Sequence, residues 1–180
     1  MILDSLGELR MLRGDLDEAS EYLRRAVELA NEQSNKWYSC QALRNFARCQ
    51  IAMNANAEAL VAARKALELA ERIADRQAIC ESQLLLAESS LQSGDLDHCE
   101  ASLRPVVEHT SDSESDLGLA GEAQRLQGLL AIARADPIAA VQHFGRSASI
   151  FDLLGDRYRS ARAHYELGRA YALDSAGAGC

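Results

Sequence analysis

The chain has 180 residues, of which 31 are alanine and 26 leucine, while valine, isoleucine and threonine together supply 13; good helix formers abound, sheet formers are scarce, and a β-rich fold is excluded. A formal charge of -8 opposes nucleic-acid binding, which needs a basic stripe to release counterions. No apolar run approaches the ~20 residues of a membrane span, and Asp4 interrupts the N-terminus before any signal-peptide core forms, so a cytoplasmic location is expected.

Helix starts and stops recur along the chain at a fixed interval. Helices are predicted near 2 to 13, 16 to 32, 36 to 53, 56 to 73, 76 to 92, 96 to 109, 117 to 134, 137 to 154 and 157 to 173. Asn35, Asp75, Asp116 and Asp156 precede one series and Asp15, Asp95 and Asp136 the other. Their side chains suit the N-cap, where a carboxylate or amide oxygen accepts a backbone N–H and favours the positive helix end. Pro137 follows Asp136 at the first helical position, where its missing donor costs nothing. Pro105 falls inside the sixth helix and is expected to kink or shorten it.

The interval is 40 residues. Gly14-Asp15-Leu16-Asp17 returns as Gly94-Asp95-Leu96-Asp97, and Ala26-Val27-Glu28-Leu29-Ala30 as Ala66-Leu67-Glu68-Leu69-Ala70. Each unit reads as helix A, a turn, then helix B. Gly7, Ala47, Ala87, Gly128 and Gly168 share one position in the A helices, and Ala19, Ala59, Cys99 and Ala140 share one in the B helices. Small side chains in register let each pair approach closely, while Leu6, Phe46, Leu86, Leu23, Leu103 and Phe144 fill the space between layers. Such one-sided stripes need a neighbouring layer, so stability accrues between successive hairpins.

The spacing of Leu6-Gly7, Gly14, Ala19, Leu23 and Ala26, repeated with Leu167-Gly168 and Tyr171, resembles the tetratricopeptide repeat in a 40-residue form. That resemblance implies an all-α, right-handed α-solenoid of antiparallel helix pairs. About four and a half repeats are expected over 1–173, divided near 1–34, 35–74, 75–115, 116–155 and 156–173, with a flexible tail at 174–180. Gln127 stands where the pattern has a large apolar residue, Ala63 replaces a bulky one, and the motif tryptophan is missing. The array is cut at both ends, which predicts an excised segment or a dimer contact through the last helix, with Leu167 and Tyr171 seeking cover.

By the same resemblance the A helices line a concave groove that takes a peptide or partner helix. Its candidate residues are Arg44, Arg48, Leu84, Glu88, Arg125, Leu129, Arg162, Tyr165 and Arg169. Arginines there can hold a carboxylate bidentately while Leu84, Leu129 and Tyr165 receive apolar anchors. Alternatively, Arg44 and Arg48 only neutralise acids of adjacent repeats, since exposed pairs of this kind are worth ~0 to 1 kcal/mol. The carboxylate clamp of chaperone-binding family members is not reproduced, because Arg48 stands where that clamp has asparagine. Resemblance also points to repeat regions of bacterial multidomain regulators.

No catalytic constellation emerges. His98, His109, His143 and His164 lie in different units without a nucleophile motif, and Gly118 and Gly121 lack the lysine of a phosphate loop. Cys40, Cys49, Cys80, Cys99 and Cys180 show no metal-ligand spacing and read as reduced core residues, and His98-Cys99 has no second ligand pair. The segment from His109 to Asp116 reads as a polar linker with sites for phosphate as the alternative. The expectation is a non-catalytic interaction module with no cofactor and a protein or peptide partner. Homo-oligomerisation and binding of a small effector stand as alternatives.

Overall fold

The computed structural model describes residues 2–112 and 116–177. Among them the chain is wholly helical, without a strand. The helices are α1 (Ile2–Arg13), α2 (Leu16–Glu32), α3 (Lys36–Ala52), α4 (Asn56–Arg72), α5 (Arg76–Gln92), α6 (Leu96–Asp112), α7 (Leu117–Ala133), α8 (Pro137–Leu154) and α9 (Arg157–Gly177). Two compact units are formed, one of residues 1–94 containing α1 to α5 and one of residues 95–180 containing α6 to α9. Within each unit, consecutive helices pack against one another as antiparallel hairpins, as the repeat pattern requires.

The turns explain why the register is so regular. Each of the seven turns that lie wholly among the described residues contains one left-handed residue: Gly14, Ser34, Asn54, Ala74, Gly94, Ala135 or Gly155. In six of them the next residue donates its N–H to a carbonyl five positions back, as in Asp15 to Arg10, Asn35 to Ala30 and Asp136 to Ala131. That Schellman-type bond satisfies a terminal carbonyl and reverses the chain in two residues. Asn35, Asp75, Asp95, Asp136 and Asp156 cap the following helices through side-chain oxygens. Asp15 and Asp116 do not: Asp15 pairs with Arg10, and Asp116 is 2.8 Å from His109 Nε2.

Two expectations are corrected. Helix α6 is not shortened by Pro105, which lies within an α-helix of 17 residues. The bond it removes would have ended on the carbonyl of Ala101, an exposed residue that water can reach. Helix α9 continues beyond Leu173 to Gly177, so the expected tail is helical over 174–177, and 178–180 lie outside the described residues, as does the centre of the His109–Asp116 linker.

The core of the first unit is alanine-rich. Ala47, Ala59, Ala62, Ala63 and Ala66 bring α3 and α4 together, with Leu43, Ile51, Leu85 and Leu86 closing the cluster. Gly7 plays the same part in α1, where a Cβ would meet Leu23 Cγ at 2.5 Å. In the second unit Gly128 and Gly121 admit the rings of Phe144 and Phe151, both fully buried. Cys40, Cys49, Cys80 and Cys99 are free and buried. Burial pushes the Cys40 and Cys49 thiols up from their ordinary value, so these two are poor nucleophiles.

Candidate functional site

In the first unit the A helices turn a row of charges toward one another. Arg44 of α3 and Arg48 one turn later both reach Glu81 Oε2 of α5, and Gln77 donates to the other oxygen of the same carboxylate. Asn45, between the arginines, donates to Asp4 and Glu8 of α1 and accepts from Arg48. Gln41 also donates to Asp4, which is buried. One continuous polar network therefore staples α1, α3 and α5. Leu84 is buried at 9% exposure, and Glu88 is also engaged. A peptide carboxylate approaching Arg44 and Arg48 would have to displace Glu81, an intramolecular partner already held in place.

The second unit departs further from the expected groove. Arg125 does not face outward: it is 1% exposed. Its Nε lies 2.9 Å from Glu122 and its Nη1 3.6 Å from Glu166 of α9. A guanidinium out of water needs carboxylates on more than one side, and the two glutamates supply them. Arg159 and Arg162 approach the same two acids from α9, at 3.5 and 3.8 Å. Leu129 packs with Ala131, Ala140, Phe144 and Ala170, and Leu167, expected at a self-association face, packs inward against the same cluster.

Left outward are Tyr165, 68% exposed, with Arg169 stacked 5.9 Å from its ring centroid, and Tyr158 and Tyr171. Between them Ala161 and Gly168 are exposed as well. The contrast with the other A helices is sharp. Cys40 and Gly121, equivalent to Ala161, are covered by the B helix that follows, and so are Ala47 and Gly128, equivalent to Gly168. A Cβ on Gly168 would meet nothing within 4 Å. The α9 face thus carries small residues of a helix-packing seam, between tyrosines, with no helix on it among the described residues. Tyr165 and Arg169, two of the expected groove residues, lie near one another here, and Tyr158 and Ala161, which were not among them, fall seven and four residues before Tyr165.

Elsewhere in the second unit His143 Nδ1 of α8 lies 2.9 Å from Gln124 Oε1 of α7. Burial, with the Arg146 charge in second place and Asp136 opposing, holds the imidazole below its usual range. The folded state thus binds this proton more weakly than the unfolded chain. Stability is fully present above the unfolded histidine value of about 6.5 and falls as pH drops through it toward the lower folded value. Melting temperature followed from about pH 8 to 5 should therefore decline on the acid side, and His143→Gln should flatten that decline. A wild-type profile indistinguishable from that of the variant would remove His143 as the cause.

No group of three or more metal-ligating side chains is found among the described residues, and no described helix is long and apolar enough to cross a membrane. No curated protein matches the chain. Residues 1–72 match the tetratricopeptide repeat family, a family whose members mediate protein–protein interaction. The match spans α1 to α4, the same helices whose Gly7, Ala19, Ala47 and Ala59 seam was described above. The nine described helices, without a strand and packed in succession within each unit, agree with it. By that match and that packing, residues 1–72 are similar to tetratricopeptide repeats.

Proposed function

We propose that this chain is a non-catalytic partner-binding module, acting in the cytoplasm as part of a larger signalling regulator, and that α9 is where the partner docks. The observation carrying this reading is the uncovered seam of Ala161 and Gly168 among Tyr158, Tyr165 and Tyr171. The same positions of α3 and α7 each receive the following helix: Cys40 and Ala47 of α3 cluster with alanines of α4, and Gly121 and Gly128 of α7 admit the rings of Phe151 and Phe144 of α8. An amphipathic partner helix of that pattern fits. Its charge is set by α9, which carries Arg157, Arg159, Arg162 and Arg169 against Glu166 and Asp174 on a chain that is otherwise acidic. The partner is accordingly an acidic helix, with Arg169 meeting its carboxylates and the tyrosines its apolar side.

Self-association is the second reading. An antiparallel pair of α9 helices would set Tyr158 against Gly168 of a second copy and Tyr165 against its Ala161, large against small. The same alignment brings Arg157 opposite Arg169, which favours an acidic partner over a copy. Both readings are tested with one variant, Tyr165→Asp with Arg169→Glu. A fluorescent peptide of residues 16–32, an acidic B-type helix, should bind the wild type and lose affinity at least about tenfold with the variant, a change of about 1.4 kcal/mol. Equal binding to both proteins, or none to either, removes α9 as the docking face for an acidic helix. Sedimentation showing a wild-type dimer that the variant dissolves selects the second copy instead.

A further inference from the structure

In each unit a cavity lies at the same place in the repeat, and the two have opposite chemistry. In the first unit a cavity of about 410 Å³ lies over α3 between α2 and α4. Its floor is apolar: Leu43, Phe46 and Ala62. In the second unit a cavity of about 490 Å³ lies over α7 between α6 and α8. Arg104 and Val107 on its wall are the counterparts of Arg24 and Val27. Counting along the repeat, the three apolar floor residues become Gln124, Gln127 and His143. Gln127 and His143 line the cavity, and Gln124 holds His143 from behind.

Polar groups at this position work against the packing that builds the fold. Gln127 Oε1 is buried and accepts no hydrogen bond among the described residues, a state that costs about 1–3 kcal/mol in a folded protein. The unit-1 cavity shows that the fold accommodates apolar residues here. The charges on the walls are also selective. Arg134 is closed by Glu100 at 2.7 Å, and Asp136 is occupied capping α8. Arg104 and Glu108, one turn apart on α6, take no ion pair among the described residues. A cation and an anion outside any ion pair among the described residues, Arg104 acting on Glu100 only through its charge, stand over a floor of the Gln127 amide and the His143 imidazole, beside apolar wall from Leu103, Leu130 and Ala139.

We infer that the cavity between α6 and α8 is a binding site for a small zwitterion of the amino-acid class. Its carboxylate meets Arg104, its ammonium meets Glu108, and its side chain lies over Gln127 and His143. The volume suits a small ligand, and the site is independent of the α9 surface. The test is thermal melting and calorimetry of the whole chain with each of the common free amino acids in turn, with acetate and ethylamine as single-charge controls. At least one amino acid should raise the melting temperature where neither control does. Arg104→Ala and Glu108→Ala, both exposed positions, should each weaken its binding at least about tenfold. Gln124→Leu with Gln127→Phe and His143→Ala restores the unit-1 floor and should abolish binding while the protein still melts cooperatively. If no amino acid binds, if the controls bind equally, or if binding survives Arg104→Ala and Glu108→Ala, the assignment is overturned.

Discussion

Arg125→Ala is expected to destabilise the second unit by about 3–5 kcal/mol, because it removes the one buried charge between two half-buried carboxylates and leaves them only Arg159 and Arg162, both more exposed, at 3.5 and 3.8 Å. A loss of that size lowers the melting temperature of a unit this small by about 12 °C or more. Calorimetry or circular dichroism reads it directly. The cost lies in the weakened compensation of the two acids as much as in the lost contacts, since Glu166 is 11% and Glu122 21% exposed at the side chain. Adding Glu122→Gln and Glu166→Gln to Arg125→Met should therefore recover much of the loss. Arg44→Ala in the first unit removes a superficially similar pair, yet Glu81 keeps Arg48 and Gln77, and the penalty should be well below that of Arg125→Ala. Equal losses at the two arginines would show that burial is not what separates them.

Gly128→Ala and Gly168→Ala should move stability in opposite directions although they occupy one repeat position. Alanine is better than glycine in a helix by about 1 kcal/mol. At Gly168 that gain is unopposed. At Gly128 the new Cβ would stand 2.6 Å from Phe144 Cε1, against a ring that is 1% exposed and cannot retreat. Overpacking of this kind costs about 1–3 kcal/mol and should outweigh the propensity gain. Urea unfolding of both variants measures the difference. Destabilisation at both sites would mean that something covers Gly168 in solution, and a concentration-dependent loss would identify it as a second copy.

The register of the helices was legible because it rests on local chemistry. Asn and Asp at the caps, glycine or a residue tolerating a left-handed turn before them, and a small residue at one fixed site all act within a few residues of themselves. The side of each helix that stays exposed was less legible. Arg44, Arg125 and Tyr165 occupy one column, yet one is tied to Glu81, one is buried and one is open. What separates Arg125 is Glu166, 41 residues away on the next A helix, and a periodicity taken helix by helix does not see such a partner. Gln127 stood out as a departure from the repeat. Its meaning required Gln124 and His143 beside it, on two helices, and their common alignment with Leu43, Phe46 and Ala62 appears only when whole hairpins are overlaid.

The corners of the chain carry a separate consequence. At Ser34, Asn54, Ala74 and Ala135 a residue with a side chain holds the left-handed geometry that glycine adopts freely. The helices on either side impose that geometry, so the corner sequence is free to drift. Durability could be raised there, one glycine at a time, without altering any face that meets another molecule. In this architecture robustness and recognition are written in different residues and can be tuned apart.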